Sequence, residues 1–293
     1  MPNLLNRLHF ALDTRLPRNV LSGSRMRVSG KGASRPGGQI HLTAKPVDDG
    51  TGFMLLKTGP VTHTMWRTVE WKLLLPIIEE LPRPLLDLGC GDGAFGALFT
   101  DEIEYGVDGD SDAVSQCDPK IYGNAIVGDL REPLAVPQGT IGAAFSNSTL
   151  EHVAPLPPAL ASVARALKPG GKLVLTVPTN GLTLAIADAY GAPLPDRLNT
   201  NMGHHNLLTW HEWEDALKKA GFARIEMRGY LTRDAMQWLA RRSLFPWVQV
   251  SRRKPEWLYR YDRATIRRHV EESLAELPEE KATCLLAIAT KDA

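Results

Sequence analysis

The chain has 293 residues, of which 43% are apolar and 23% charged, so it can bury a substantial core and is not generally disordered. Its apolar runs fall well short of the roughly 20 residues that a membrane span needs, and its start lacks the unbroken apolar core of a secretory signal. The net charge of +1 hides two basic segments, 1–46 and 233–268, each with a net charge of +7, so the remaining chain is acidic.

The first half of the chain predicts an arm, a helix and then a run of alternating strands and helices. Residues 22–50 are dense in Gly, Ser, Arg and Pro, which is typical of a loop or a mobile arm. Apolar residues recur at helical spacing from 64 to 81, with Pro76 as an expected kink or break. Strands are predicted at 85–88, 104–107, 125–127, 141–145 and 172–177, with helices over 94–100, after Ser111 as a capping residue, and over 159–167.

The second half adds one clear helix, two strands and two long connections. Thr209 is an expected cap for a helix over 210–220, and strands are predicted at 223–227 and 283–290. Residues 179–208 and 230–280 are too long for ordinary connections, so we expect irregular segments that face the substrate. The alternation of strands and helices indicates an α/β fold with a parallel, doubly wound sheet.

A glycine-rich turn follows the first strand of that run. Its sequence is Asp87-Leu88-Gly89-Cys90-Gly91-Asp92-Gly93, and such a turn lets a ligand approach bare backbone amides at the start of a helix. Nicotinamide and flavin enzymes use a similar turn, so the glycines alone are ambiguous. Two carboxylates, Asp87 and Asp92, bracket the turn; they would repel a pyrophosphate but suit a ligand that carries an ammonium and a sulfonium.

The same turn resembles the first motif of the class I S-adenosylmethionine-dependent methyltransferases, and five further segments resemble that family in order and at its spacing. They include Asp108, Gly128-Asp129-Leu130, residues 146–153, residues 167–173 and the stretch from Gly203 to Phe222. The resemblance covers roughly residues 64–229. It implies S-adenosylmethionine as the cofactor, held by Asp87, Gly89, Cys90 and Gly91 at the methionine end, Asp108 and Gly109 at the ribose, Asp129 and Leu130 at the adenine, and Asn147 nearby.

The family also implies a fold and a division of the chain. It has a Rossmann-like, mostly parallel sheet of seven strands with an antiparallel last strand. We therefore predict a basic, partly flexible arm over 1–60 and a methyltransferase domain over 61–293, with a basic and aromatic insertion or cap over 230–280. In ubiquinone-type members an arginine in the first helix meets the methionine carboxylate, and Arg67 has a similar place. Plain structural roles stay open, such as a helix cap for Asp108 or a packing role for Cys90.

Methyl transfer from a sulfonium needs alignment, and it needs a base only if the acceptor must lose a proton. The base candidates are Glu151, His152, His204 and His205, which are expected at the carboxyl edge of the sheet, with His204 favoured. Any of these histidines could instead cap or pack. No cluster shows metal-ligand spacing, so we predict no metal.

The expected acceptor is a small molecule or a saccharide, methylated on oxygen or, less favoured, on nitrogen. Residues 146–149 differ from the segment typical of nucleic-acid base methylation, so a nucleic acid is disfavoured. The aromatic and basic mixture over 233–268 leaves contact with an anionic membrane or anionic substrate open, and also RNA methylation with these segments as the docking surface. A non-catalytic, cofactor-binding regulator is the third alternative. Three scattered cysteines favour a reducing, cytoplasmic location. The sequence does not indicate the oligomeric state.

Overall fold

A computed structural model describes residues 45–48, 54–57, 61–191, 194–244 and 255–292. Most of the arm predicted over 1–60 lies outside the described residues, and so do positions 245–254 of the predicted insertion. Among the described residues, no helix combines the length and the apolarity that a membrane crossing requires.

The centre of the fold is a sheet of seven strands. Five of them, β3 to β7, alternate with helices or turns, and β8 and β9 complete the sheet in the order β5-β4-β3-β6-β7-β9-β8. Strand β9 pairs antiparallel with β7 and β8, while the other pairs are parallel, as the resemblance implied. A separate antiparallel pair, β1 and β2, precedes it. The strands are β1 (Lys45–Asp48), β2 (Met54–Lys57), β3 (Leu85–Leu88), β4 (Ile103–Asp108), β5 (Tyr122–Val127), β6 (Ile141–Asn147), β7 (Leu167–Pro178), β8 (Phe222–Thr232) and β9 (Ala282–Lys291).

Helices cover both faces of this sheet. The helices are α1 (Val61–Ile78), α2 (Ser111–Val114), α3 (Leu156–Ala166), α4 (Asn180–Tyr190), α5 (Leu194–Met202), α6 (Trp210–Lys219), α7 (Arg233–Leu244) and α8 (Pro255–Ser273). Neighbouring strand residues alternate between two apolar clusters: Leu85, Phe145 and Val174 belong to one, while Leu86 and Ala144 belong to the other. Successive side chains of a strand point to opposite faces, so the sheet separates two cores.

Two local predictions about helices are wrong. The expected helix over 94–100 is a single 3₁₀ turn, Gly96–Leu98, in which Gly96 packs so closely that a Cβ there would lie 2.1 Å from the Tyr122 hydroxyl oxygen. The cap of α2 is Asp110, whose carboxylate accepts from the Asp112 and Ala113 amides, rather than Ser111.

The long stretches over 179–208 and 230–280 are also not irregular where the structure describes them. They hold α4, α5, α7, α8 and the end of β8. The physical reason is an apolar face on each helix, since Ile186, Leu198, Leu239 and Val270 are all buried in the same core cluster. Pro76 is likewise no break, because α1 runs through it and ends two residues later.

Candidate functional site

The predicted site residues lie where parallel strands end at one edge of the sheet. The glycine turn follows β3, Asp108 ends β4, Asp129 follows β5 and Asn147 ends β6. Open α/β sheets bind ligands at this carboxyl edge, in the crevice where the strand order reverses. Strand β3 lies between β4 and β6, so the glycine turn occupies that crevice.

The glycine turn depends on backbone conformations that other residues rarely adopt. Gly89 has a φ of +75°, and a Cβ at Gly89 would lie 2.3 Å from Cγ2 of Thr149. Gly91 has a φ of +55°, yet a Cβ there would meet no atom within 4 Å. Gly89 is therefore required by packing against the loop after β6, while Gly91 leaves open space beside the backbone.

Asp108 closes this space from the neighbouring strand. Its Oδ2 accepts from the Gly91 amide at 2.9 Å, and its Oδ1 accepts from the Asp110 amide at 2.9 Å. Each carboxylate oxygen can accept a further hydrogen bond, so Asp108 remains able to hold two ligand hydroxyls. Gly109, the next residue, is exposed.

Asp87 does not bracket the turn as the sequence suggested. It is buried beneath the turn, where its Oδ2 accepts from the Tyr122 hydroxyl at 2.7 Å. Burial raises the pKa of Asp87 to about 7. The hydrogen bond from Tyr122 opposes this rise, and the negative charge of Asp108 adds to it. Near neutral pH the charge of Asp87 is therefore weakened, and Asp108 is the carboxylate that contacts the open turn.

The contacts of Cys90 and Asp92 also indicate that these residues support the turn and do not bind a ligand directly. Cys90 is buried, and Oδ1 of Asp92 accepts from the Ala94 amide at 3.1 Å. Sγ of Cys90 lies 3.8 Å from the Gly91 carbonyl oxygen, and Sγ of Cys117 lies 3.6 Å from the same oxygen. These contacts brace the turn from below.

After β5, Asp129 is exposed and Leu130 is buried. The Asp129 carboxylate accepts from Nε of Arg131 at 2.9 and 3.0 Å and from its Nη2 at 2.5 Å. These hydrogen bonds lower the pKa of Asp129. The arginine thus holds the carboxylate ionised beside Val127, whose exposed fraction is 55%.

A buried carboxylate on α1, Glu70, organises the other side of the crevice. Its side chain has no exposed surface, and five donors from α1, the end of β6 and β8 surround it. They are Trp66 Nε1 at 2.8 Å, Arg67 Nη1 at 2.5 Å, Asn147 Nδ2 at 3.2 Å, Ser148 Oγ at 2.8 Å and the Tyr230 hydroxyl at 2.9 Å. Sequence reasoning missed Glu70, although its spacing from Trp66 and Arg67 places the three on one helix face.

Glu70 thereby connects Arg67 and Asn147, two of the predicted cofactor residues. The Arg67 guanidinium also lies 5.5 Å from the centre of the Phe95 ring, and 22% of its side chain is exposed. Oδ1 of Asn147 accepts from the Thr176 hydroxyl at 2.7 Å. The next residue, Ser148, has a φ of +48°, a strained conformation that its bond to Glu70 helps to hold.

Three of the four base candidates come together after β6. Oε1 of Glu151 lies 3.6 Å from Nε2 of His152, and the rings of His152 and His204 are 5.1 Å apart at their centres. Asn206 fastens the loop of His204 to the turn of Glu151 by donating to the Leu150 and Val153 carbonyl oxygens, both at 2.7 Å. His205 is exposed, and its amide donates to the Glu151 carbonyl oxygen at 2.8 Å.

Burial determines the protonation of this cluster. It raises the pKa of Glu151 to about 8, lowers that of His152 and lowers that of His204 to about 4. Both imidazoles are therefore neutral near pH 7. A base with a pKa near 4 is weak, so His204 alone is a poorer proton acceptor than the sequence suggested.

Residues 66–226, more than half of the chain, match the model of a family described as a methyltransferase domain. A comparison with curated proteins gave no match.

Solved methyltransferases share the fold at low identity. One is a Thermotoga maritima S-adenosylmethionine-dependent methyltransferase described as a possible histamine N-methyltransferase, with a TM-score of 0.51 and 16% identity over 77% of this chain and 91% of that chain. Another is Haemonchus contortus phosphoethanolamine N-methyltransferase 2 in complex with S-adenosylmethionine, with a TM-score of 0.52 and 16% identity over 79% of this chain and 57% of that one. Identities this low show a shared fold.

Proposed function

This chain belongs to the methyltransferase domain family, and we propose that it methylates an oxygen of a small molecule or a saccharide. It is an enzyme, and S-adenosylmethionine is its methyl donor. The donor supplies an electrophilic methyl group on a sulfonium, so the protein must bind, align and exclude water. The identity of the acceptor and the roles of single residues are the proposal.

The Gly91 turn fits such a donor better than a dinucleotide. In dinucleotide-binding folds, open amides at this turn hold a pyrophosphate. Here the Gly91 amide donates to Asp108, which sets a carboxylate beside the place a diphosphate would need. A carboxylate suits a ligand with a ribose diol and positive charge.

The remaining cofactor residues follow from their positions along the edge. Asp108 would hold the ribose hydroxyls, and Asp129 with the exposed Val127 would meet the adenine. Arg67, kept in place by Glu70, would meet the methionine carboxylate. These assignments stay predictions.

The cluster after β6 supports an oxygen acceptor. A hydroxyl must lose its proton to become a good nucleophile, and the neutral imidazoles of His152 and His204 offer proton acceptors at the edge where the donor binds, next to Glu151, which is mostly protonated near pH 7. Nδ1 of His152 lies 3.1 Å from the Gly203 carbonyl oxygen, which leaves Nε2 with a free electron pair. This free pair beside Glu151 is the observation that carries the proposal.

A small acceptor is also favoured over RNA by the described part of the basic segment. Arg233 pairs with Asp188, Arg267 with Glu271 and Arg268 with Glu272. Basic side chains paired within the molecule offer less charge to phosphates. Contact with an anionic membrane or substrate through 233–268, and a cytoplasmic location, stay predictions.

The test is to incubate the protein with cell extract and S-adenosylmethionine labelled in its methyl group, and to search the products by mass spectrometry. We expect a labelled methyl ether in the small-molecule or saccharide fraction. His204→Ala should lower its rate of formation while the affinity for S-adenosylhomocysteine is unchanged. Label found in RNA alone would contradict the proposal and favour RNA methylation. No label in any fraction would favour a non-catalytic, cofactor-binding regulator.

A further inference from the structure

Three side chains with metal-binding chemistry converge beside the methyl-transfer site. One donor atom each from Glu151, His152 and His204 lies within 4.8 Å of the others, although α3, β7, α4 and α5 separate the third from the first two along the chain. From this convergence we infer that the three form a binding site for a divalent transition-metal ion. The sequence predicted no metal, because the spacing of these residues along the chain hides their proximity.

The outer contacts of both histidine rings leave Nε2 available as a ligand atom. Nδ1 of His152 lies 3.1 Å from the Gly203 carbonyl oxygen, and Nδ1 of His204 lies 3.3 Å from Oδ1 of Asn199. Carbonyl oxygens only accept, so each Nδ1 carries the proton and each Nε2 keeps an electron pair. A second bond, from Asn199 Nδ2 to the Thr183 hydroxyl at 3.0 Å, fixes the amide. Such outer partners set the tautomer and direction of histidine ligands.

The carboxylate supplies the second, independent observation. Glu151 is only 2% exposed, and its Oε2 is buried with no hydrogen-bond partner among the residues that the structure describes. Its Oε1 lies 3.6 Å from Nε2 of His152. A buried carboxyl oxygen without a hydrogen-bond partner is costly, and a bound cation would pair with it and favour the ionised form that burial disfavours.

Two imidazole nitrogens and one carboxylate form a ligand set suited to zinc and similar first-row ions. Ligand atoms around a tetrahedral zinc ion with bonds of about 2.1 Å are about 3.4 Å apart, so the cluster would contract by about 1.4 Å at most. Three protein ligands leave at least one position open. We assign that position to the acceptor oxygen, which commits the acceptor to a hydroxyl compound.

This role rests on the proposed function and would replace direct proton removal by His152, because the ion would occupy the electron pair on its Nε2. A hydroxyl bound to the ion would lose its proton to water more readily, because the ion stabilises the alkoxide. The oxygen would use its electron pair to form the bond to the methyl carbon. The bond from sulfur to that carbon breaks, and its electron pair stays on sulfur as the neutral thioether.

The experiment uses untagged full-length protein that has been treated with a chelator and then titrated with Co²⁺, followed by Zn²⁺. We expect one Co²⁺ per chain, seen as visible absorption bands that Zn²⁺ removes, and a raised midpoint of thermal unfolding. Glu151→Gln and His204→Ala should each weaken Co²⁺ binding at least 10-fold. Near-ultraviolet circular dichroism and S-adenosylhomocysteine affinity check that both variants fold.

His211→Ala is the matched control. His211 also has a carboxylate oxygen 3.6 Å away, from Asp215, but both side chains are exposed on α6. This variant should bind Co²⁺ as the wild type does. No stoichiometric Co²⁺ binding and no thermal shift in the wild type would overturn the inference, and so would equal affinity in Glu151→Gln, His204→Ala and His211→Ala.

Activity separates this inference from the proposed function. Methyl transfer that continues in excess chelator, by a protein that binds no Co²⁺, would overturn the metal site and leave the function standing. Stoichiometric Co²⁺ binding without methyl transfer to any acceptor would support the metal site and overturn the function.

Discussion

The two halves of the crevice are built in different ways. We call Gly89, Gly91, Asp108 and Asp129 the cofactor edge, and Glu70, Glu151, His152 and His204 the acceptor edge. The cofactor edge consists of turns whose backbone and nearby carboxylates face the open crevice. The acceptor edge consists of buried and half-buried side chains from α1, the turn after β6 and the loop after α5, and Asn147 of β6 and Tyr230 of β8 donate to its Glu70.

Because of this difference, substitutions in the two edges should have different effects. Changes at the acceptor edge should first cost folding stability, because its side chains are buried or half-buried and depend on one another for hydrogen bonds and packing. Changes to exposed residues of the cofactor edge should mainly cost ligand affinity. The following variants test that division, together with the burial of Asp87 beneath the glycine turn.

The largest expected effect is at Glu70. Glu70→Gln removes the fully buried charge opposite Arg67, whose side chain is 22% exposed, and breaking a buried ion pair costs about 3–5 kcal/mol of unfolding free energy. Urea unfolding measures it, with Glu80→Gln on the exposed end of the same region as the control. A loss below about 1 kcal/mol would mean that the network contributes little.

Asp87 should give the chain a specific dependence of stability on pH. Its folded pKa of about 7 is above the ordinary value of 3.8, so between these pH values the folded state holds a proton that the unfolded chain has lost. Its contribution is therefore greatest below pH 4 and falls as the pH rises to 7. Asp87→Asn does not titrate, so its stability relative to the wild type should rise by up to about 4 kcal/mol over this range.

Urea unfolding of both proteins at several pH values from 4 to 8 measures that rise. Asp112→Asn, an exposed carboxylate on α2, is the control and should keep a constant difference from the wild type. A constant difference for Asp87→Asn would show that Asp87 is ionised in the folded protein throughout.

Gly89 tests the contact between the two edges. Gly89→Ala combines a left-handed backbone with a Cβ 2.3 Å from Thr149, for which we expect a loss of about 3 kcal/mol in unfolding free energy. Gly139→Ala is the matched control, since Gly139 has a φ of +70° but open space around it, and should lose about 1 kcal/mol. Equal losses would show that packing against Thr149 is unimportant.

Asp108 should show the smallest effect on folding and a clear effect on binding. Asp108→Ala should weaken S-adenosylhomocysteine binding by about 1–3 kcal/mol through the loss of charge-assisted hydrogen bonds. Isothermal titration calorimetry measures this, with Asp112→Ala as the control. Unchanged affinity in Asp108→Ala would remove Asp108 from the cofactor site.

The contrast between the edges also explains which parts of the fold and of the site could be predicted from the sequence. Local signals were enough for β3, predicted with its observed bounds, and for the Thr209 cap of α6, which forms a complete capping box with Glu212. The seven-stranded, mostly parallel sheet and its antiparallel β9 followed from the family resemblance, while the strand order came from the structure. The cofactor edge could also be predicted from local sequence, since it depends on short segments with special backbone conformations.

The acceptor edge could not be interpreted this way, because its contacts join residues far apart in sequence. Tyr230 reaches Glu70 from 160 positions away, and no local pattern marks that pair. The same holds for Glu151 and His204, whose proximity depends on α4 and α5, two helices that the sequence analysis did not predict. Asp87 shows a further limit, since its burial, and not its position in the motif, sets its charge.

The most direct measurement is a crystal structure of the protein grown with S-adenosylhomocysteine and NADH together. We expect S-adenosylhomocysteine beside Gly91, with its ribose hydroxyls on Asp108 and its amino-acid end toward Arg67. NADH in that crevice, with S-adenosylhomocysteine excluded, would contradict the assignment of the site and of the methyl donor.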